Sequence, residues 1–137
     1  MELIKRLGYV GVIGVTAAAG ACGLTETPPP IPPLSAVELN LQTPRTDDGA
    51  VVLTLRGPDV SNLQAASQGY LLYSRPTAPD EVRIIVVGDL KAGPLATLSV
   101  GPGHQLSEYS VIVDQVAART DSLRADLSGY GVSVTVP

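Results

Sequence analysis

The stretch EVRIIVV at residues 81–87 is the most apolar of the alternating segments in this chain, and it gives the clearest indication of the fold. Its side chains fall into two sets with the two-residue period of a β-strand, Val82, Ile84 and Val86 on one side and Arg83, Ile85 and Val87 on the other. Because Ile85 and Val87 are also apolar, we expect the second half of this strand to be covered on both faces. If their face is left open instead, it forms an apolar patch of the kind that marks a contact site, which makes Ile85 and Val87 candidate binding residues.

Six further segments on either side of this strand are short and separated by turn residues at regular spacing. They are predicted as strands at residues 37–42, 50–56, 69–74, 94–100, 109–117 and 132–136. The connections are predicted as turns or loops at residues 47–49, 57–58, 75–80, 88–89 and 101–103, with a short helical turn or an irregular crossover at 59–68. Seven strands in about 100 residues predict an all-β fold, a single immunoglobulin-like β-sandwich.

The segment at residues 109–127 carries conflicting signals. Tyr109, Ile112 and Val116 recur at helical spacing, but the β-branched run between them favours a strand. We therefore predict a strand in the first half of this segment and a short helical turn or loop at residues 121–127.

Residues 1–22 have the three parts of an export signal in the required order. Lys5 and Arg6 form the positive end, residues 7–21 form an apolar run, and small residues lead up to Cys22, the only cysteine in the chain. The run is too short for a transmembrane helix, which needs about 20 apolar residues. Export followed by cleavage is the prediction, and an uncleaved N-terminal anchor is an alternative.

The residues Ala-Gly-Ala at 19–21, followed by the cysteine, resemble the signal of a bacterial lipoprotein, although Ala19 replaces the leucine that is usual three positions before the cysteine. The resemblance implies cleavage after Ala21, acylation of Cys22 with chains such as palmitate, and attachment to membrane lipid in the bacterial cell envelope. Gly23 rather than aspartate follows the cysteine, which implies the outer membrane rather than the inner one in a cell that has both. An ordinary signal peptide that leaves a free thiol is a further alternative.

Composition divides the chain into a signal peptide at residues 1–21, a lipidated cysteine with a proline-rich linker at 22–35, and a β-sandwich domain at 36–137. Proline fixes the backbone dihedral φ and removes a hydrogen-bond donor, so the linker is predicted to be an extended polyproline II rod. The net charge of −4 and the lack of a cluster of basic residues argue against nucleic acid as a partner.

Two stretches, GAVVLTLRGP at residues 49–58 and LRADLSGY at residues 123–130, resemble parts of the cohesin-like β-sandwiches of bacterial exported proteins. This resemblance implies a sandwich fold and attachment to a cell-surface protein or polysaccharide. It supplies no catalytic residues.

The sequence offers little for catalysis or metal binding. His104 is the only histidine and is predicted to be solvated in a Gly-Pro-Gly-His loop, and no serine stands on a nucleophile elbow. Calcium could use carboxylates in or beside loops, but the calcium-loop spacing is absent among Asp47, Asp48, Asp80, Glu81 and Asp89. We predict no cofactor, no metal site and no enzymatic activity, with a small hydrolase or metal-dependent enzyme as the least favoured alternative.

The tyrosines help to distinguish a protein-binding module from a carbohydrate-binding module. A sugar-binding platform needs flat aromatic rings, and tyrosine must supply them because the chain has no Trp or Phe. Tyr70 and Tyr73 point to opposite faces of their strand, and Tyr73 is the candidate outward residue, whereas Tyr109 is expected at a tyrosine corner. The leading prediction is a non-enzymatic, lipid-anchored interaction or structural module that meets another envelope protein through a sheet edge or an outer face. A carbohydrate-binding module at the cell surface is the alternative.

Overall fold

A computed structural model describes residues 27–30 and 32–137. The chain divides into two compact units, Met1–Pro30 and Ile31–Pro137. Of the first unit only residues 27–30 are described, and they are exposed and form neither helix nor strand. The predicted signal peptide, Cys22 and part of the proline-rich linker lie outside the described residues. Over residues 27–30 and 32–137, the structure contains no helix with the length and hydrophobicity needed to cross a lipid bilayer.

The second unit is built from antiparallel strands, which confirms the all-β prediction. Its elements are β1 (Ala36–Gln42), β2 (Asp48–Arg56), β3 (Val60–Ala65), β4 (Leu71–Ala78), β5 (Glu81–Leu90), β6 (Gly93–Val100), a 3₁₀ turn (Leu106–Glu108), β7 (Ser110–Ala118) and β8 (Gly131–Thr135). They form a first sheet in the order β3-β6-β1-β8 and a second sheet in the order β4-β5-β2-β7.

The strands pair as in one long ribbon folded at its middle. β4 and β5 form a hairpin, and outward from it β3 pairs with β6, β2 with β7 and β1 with β8. Every connection other than this hairpin crosses from one sheet to the other. The segment between β1 and β2 is therefore a crossover between sheets and not a hairpin.

The core is aliphatic and consists of the inward sets of alternating side chains. In β1, β2 and β5 these side chains are at most 3% exposed and comprise Val37, Leu39, Leu41, Val51, Leu53, Leu55, Ile84 and Val86. Full burial of a Val, Leu or Ile side chain stabilises a fold by about 1.5–3 kcal/mol. The alternation that predicted these strands therefore also identifies a large share of the stabilising contacts.

Residues 59–68 contain a strand rather than the predicted helical turn or irregular crossover. β3 pairs with β6 with a register shift between Ser61 and Gln64, and Asn62 has a left-handed φ of 47°. The strand lies at the edge of the first sheet and is largely polar, so its sequence lacks a regular apolar alternation. The described domain accordingly has eight strands, one more than predicted.

Two predicted loops are largely or wholly strand, and of the loop predicted at residues 75–80 only Pro79 and Asp80 form a turn. β4 runs through Pro76 to Ala78, because it is an edge strand and an edge tolerates a residue without a backbone N–H. β5 runs through Gly88 and Asp89 to Leu90. At Gly88 a Cβ atom would lie 2.7 Å from the Gly69 carbonyl oxygen, so this glycine permits a close backbone approach instead of making a turn.

The segment with conflicting signals contains a strand, as predicted, which is β7 (Ser110–Ala118). Residues 121–127 form no helix and make an isolated β-bridge between Leu123 and Ala117. The β-branched residues therefore outweighed the helical spacing.

Candidate interaction face

The second sheet has an outer face on which the three candidate binding residues meet. Cross-strand pairing places Tyr73 of β4 opposite Ile85 of β5, and Leu71 opposite Val87 in the adjacent row. On the other side of β5, Val52 of β2 pairs with Ile85. Tyr73, Ile85 and Val87 therefore lie on one side of the sheet, in two neighbouring rows.

Much of this side of the sheet is exposed among the described residues, although Thr54 is buried and Val52 and Val87 are half-buried. The exposed fractions are 59% for Leu71, 58% for Tyr73, 50% for Ile112 and 36% for Ile85, and these four are most of the exposed large hydrophobic residues of the described chain. The prediction that the second half of the strand is covered on both faces is therefore wrong, and its stated alternative, an open apolar face, is what the structure contains. We call this surface the open face and define it by Val52, Leu71, Tyr73, Ile85, Val87 and Ile112.

Charged side chains border the open face along the next cross-strand row. Arg75 of β4 pairs directly with Arg83 of β5. One row further, the Arg56 Nε donates to the Glu81 Oε2 at 2.9 Å, and the Thr77 hydroxyl donates to the same carboxylate. On β4 and β5 the apolar rows therefore end at two paired arginines, and the arginine row continues through Thr54 of β2 to Ile112 of β7.

Three residues of the open face were not among the predicted binding residues. Leu71 has the same parity as Tyr73, so the alternation already placed it on the outward side. Val52 lies within the predicted strand at residues 50–56, on the side opposite to the buried Val51 and Leu53. Ile112, which pairs with Thr54 of β2, was hidden by the conflicting periods of its segment.

His104 lies in a loop, as predicted, but it is only partly solvated because it is held between two carboxylates. Its Nε2 lies 2.8 Å from the Asp59 Oδ2, its Nδ1 lies 3.4 Å from the Glu108 Oε1, and its side chain is 21% exposed. The Asp59 carboxylate raises the pKa of His104 above the ordinary value, partial burial of the ring opposes the increase, and Glu108 adds to it. An imidazole with a carboxylate at each nitrogen is stabilised in its protonated form.

The acidic residues considered for calcium pair mainly with arginines. Asp47 and Asp48 both bind Arg124, Glu81 binds Arg56, and Asp89 binds Arg119 at 3.1 Å. Within residues 27–30 and 32–137, no group of three or more His, Cys, Asp or Glu side chains is arranged to hold a metal ion.

The tyrosines of the described chain do not form an exposed row. Tyr109 is 5% exposed, and Tyr70 and Tyr130 are half-buried, which leaves Tyr73 as the exposed one among these residues. The Tyr109 hydroxyl donates to the carbonyl of Pro58, 51 residues earlier in the chain. In a tyrosine corner the hydroxyl binds a backbone group only a few residues upstream. The prediction that Tyr109 forms a tyrosine corner is therefore wrong, because its hydrogen-bond partner is distant in the chain.

No family model, curated protein or solved structure matches this chain.

Proposed function

We propose that this chain is a non-enzymatic, lipid-anchored protein of the bacterial cell envelope whose β-sandwich binds another envelope protein through the open face. The observation that supports the binding role is the cluster of exposed aliphatic and aromatic side chains around Tyr73 and Ile85. Contiguous apolar surface of this kind marks contact sites, and tyrosine and arginine are enriched where protein interfaces are strongest.

Contact through the face is favoured over strand addition at the nearest edge. β4 is the edge strand beside the open face, and it carries Arg75 and Pro76. Proline cannot donate to an added strand, and charged residues on an edge oppose pairing with another chain. A partner is therefore expected to lie across the side chains of the second sheet.

The immunoglobulin-like and cohesin-like identity of the sandwich is part of the proposal. The orders β4-β5-β2 and β3-β6 are supporting features, because they correspond to strands D-E-B and C-F of an immunoglobulin constant domain. β1 and β7 differ from that scheme, since each pairs in the opposite sheet. A sandwich with these exchanged strands still presents β4, β5 and β2 as one continuous face.

The lipid anchor is tested at Cys22. A full-length chain grown with a palmitate analogue is expected to incorporate the label and to sediment with membranes, and the Cys22→Ser chain is expected to lose both properties, because acylation needs the thiol and stable anchoring needs about two acyl chains or more. A Thr25→Ser chain is the matched control and should keep the label. Membrane association of Cys22→Ser without label would instead indicate an uncleaved anchor.

The open face is tested by site-specific crosslinking in the cells that make the protein. A photo-reactive amino acid in place of Tyr73 is expected to give a discrete crosslinked species in membranes, whereas the same group at Gln64, an exposed position of β3 in the first sheet, is expected to give none. Adding Ile85→Ser should lower the yield at position 73 about fivefold or more, as for a residue near an interface centre. Equal yields at positions 73 and 64 would contradict the binding role.

A further inference from the structure

We infer that the partner of the open face is an acidic protein surface, which places carboxylates against Arg75 and Arg83 while its apolar side chains contact Leu71, Tyr73 and Ile85. This inference rests on the proposed function and adds the chemistry of the partner. In this inference the arginine pair and the apolar rows form a single recognition surface.

The geometry makes the two arginines one site. Arg75 and Arg83 are directly opposite in the antiparallel pair of β4 and β5, where Cβ atoms are about 4.5–5.5 Å apart. Both residues are exposed. The row formed by Tyr73 and Ile85 lies two residues along the strands, a separation of about 7 Å. A partner that covers the apolar rows therefore reaches both guanidinium groups.

Neither arginine forms a salt bridge with another described residue. The acidic groups on the same side of the sheet have closer partners: Glu81 binds Arg56 and Thr77 and is only weakly attracted to Arg83, and Asp114 accepts a hydrogen bond from the Thr54 hydroxyl. Like charges directly opposite each other destabilise a sheet, and a carboxylate placed between them removes that repulsion. The two arginines form a locally positive site on a chain whose net charge is −4. The preference of this site for an anionic partner therefore differs from what the net charge alone would suggest.

The surrounding side chains favour protein over the other anionic macromolecules. Glycans bind to flat aromatic rings, and the open face presents a single tyrosine among aliphatic residues. Anionic membranes attract clusters of about four to eight basic residues, and two arginines beside an apolar sheet do not form such a cluster. A protein partner, in contrast, can pack its aliphatic side chains against Leu71, Ile85 and Ile112.

The test is a selection of random twelve-residue displayed peptides on the detergent-solubilised full-length chain. Recovered peptides are expected to combine Asp or Glu with large apolar residues. Their affinity should fall about tenfold or more on Arg75→Gln/Arg83→Gln, a loss that corresponds to about 1.4 kcal/mol. Arg45→Gln/Lys91→Gln is the matched control, because it removes the same charge from exposed positions away from the open face and should leave binding unchanged. The midpoint of unfolding of Arg75→Gln/Arg83→Gln should not fall, since the substitution relieves a repulsion.

The outcomes separate this inference from the proposed function. Peptides that bind the wild type and Arg75→Gln/Arg83→Gln equally but lose affinity on Tyr73→Ser/Ile85→Ser would overturn the acidic partner and leave the open face as the contact site. Peptides that Tyr73→Ser/Ile85→Ser does not affect would overturn both. A further outcome would also overturn the inference. In this outcome no acidic peptide is recovered, and the chain shows arginine-dependent binding to phosphatidylglycerol vesicles, to polygalacturonate or to a second copy of itself.

Discussion

Replacement of Asp48 by alanine is expected to lower the free energy of unfolding by about 3 kcal/mol, because it leaves several buried or half-buried groups without their acceptor. A domain of this size is stabilised by about 5–15 kcal/mol, so the loss is a large fraction of the total. Denaturant-induced unfolding of the wild-type and Asp48→Ala chains measures it directly.

The Asp48 carboxylate is fully buried and connects the start of β2 to two other parts of the chain. Its Oδ1 accepts hydrogen bonds from the Arg124 Nε at 3.2 Å, the Arg124 Nη2 at 3.1 Å and the Tyr130 hydroxyl at 2.8 Å, while its Oδ2 accepts from the Thr43 hydroxyl. Thr43 follows β1, and Arg124 and Tyr130 lie in the long segment between β7 and β8. The carboxylate therefore fixes that segment, which has little regular structure of its own, against the start of β2.

The same interactions predict a dependence of stability on pH. Burial alone would raise the pKa of Asp48, but the hydrogen bonds from Thr43, Tyr130 and Arg124 outweigh it, so the pKa lies below the ordinary 3.8. A carboxyl group with a lowered pKa in the folded state stabilises the fold above its unfolded value and loses this contribution as the pH falls through the folded value. Asp48→Asn is expected to remove this part of the acid sensitivity below about pH 3.8.

Asp47 provides the matched control for Asp48. Its side chain is 56% exposed and binds the same Arg124 Nη2 at 2.6 Å. An exposed ion pair contributes about 0–1 kcal/mol, so Asp47→Ala should have a small effect. Equal losses in Asp47→Ala and Asp48→Ala would show that the buried network is not what stabilises the segment.

Asp48 also illustrates which parts of the fold the sequence could not predict. The Asp-Asp-Gly run looks like a turn locally, and its buried role depends on Arg124 and Tyr130, which are 76 and 82 residues away. Both partners lie within the stretch LRADLSGY, whose sequence resembles part of a cohesin-like domain. The hydrogen bonds to Asp48 explain why an arginine and a tyrosine are needed in this stretch. Local patterns predict local elements, whereas pairing between distant polar residues depends on the completed fold.

The open face was predicted in part. Alternation placed Ile85 and Val87 on the second side of their strand and Tyr73 outward, since parity within a strand is a local property. Register between strands is not local, so the sequence could not show that Tyr73 pairs with Ile85 or that Arg75 faces Arg83. The lipid anchor at Cys22 stays a prediction from the sequence, because it lies outside the described residues.

Replacement of Gly57 by alanine is expected to destabilise the domain by about 3 kcal/mol through overpacking against the ring of Tyr109. A Cβ atom at position 57 would lie 2.2 Å from the Tyr109 Cδ1 and 2.7 Å from its Cε1, well inside van der Waals contact. The ring is 5% exposed, and its hydroxyl donates to the Pro58 carbonyl at 2.8 Å, so it cannot move aside without losing this bond. Thermal or denaturant unfolding of Gly57→Ala measures the loss.

A double-mutant cycle distinguishes this clash from a general effect of alanine at a turn. Tyr109→Ala alone is expected to cost about 3–5 kcal/mol as a large core side chain, but it should cost much less in the Gly57→Ala background, because removal of the ring also removes the overlap. Gly69→Ala is the control, since the nearest heavy atom to its added Cβ is the Ser67 Oγ at 3.8 Å, and its effect should stay within about 0.5 kcal/mol. Additive losses at positions 57 and 109 would mean that the two residues do not compete for the same space, and that Gly57 is required for its backbone conformation instead.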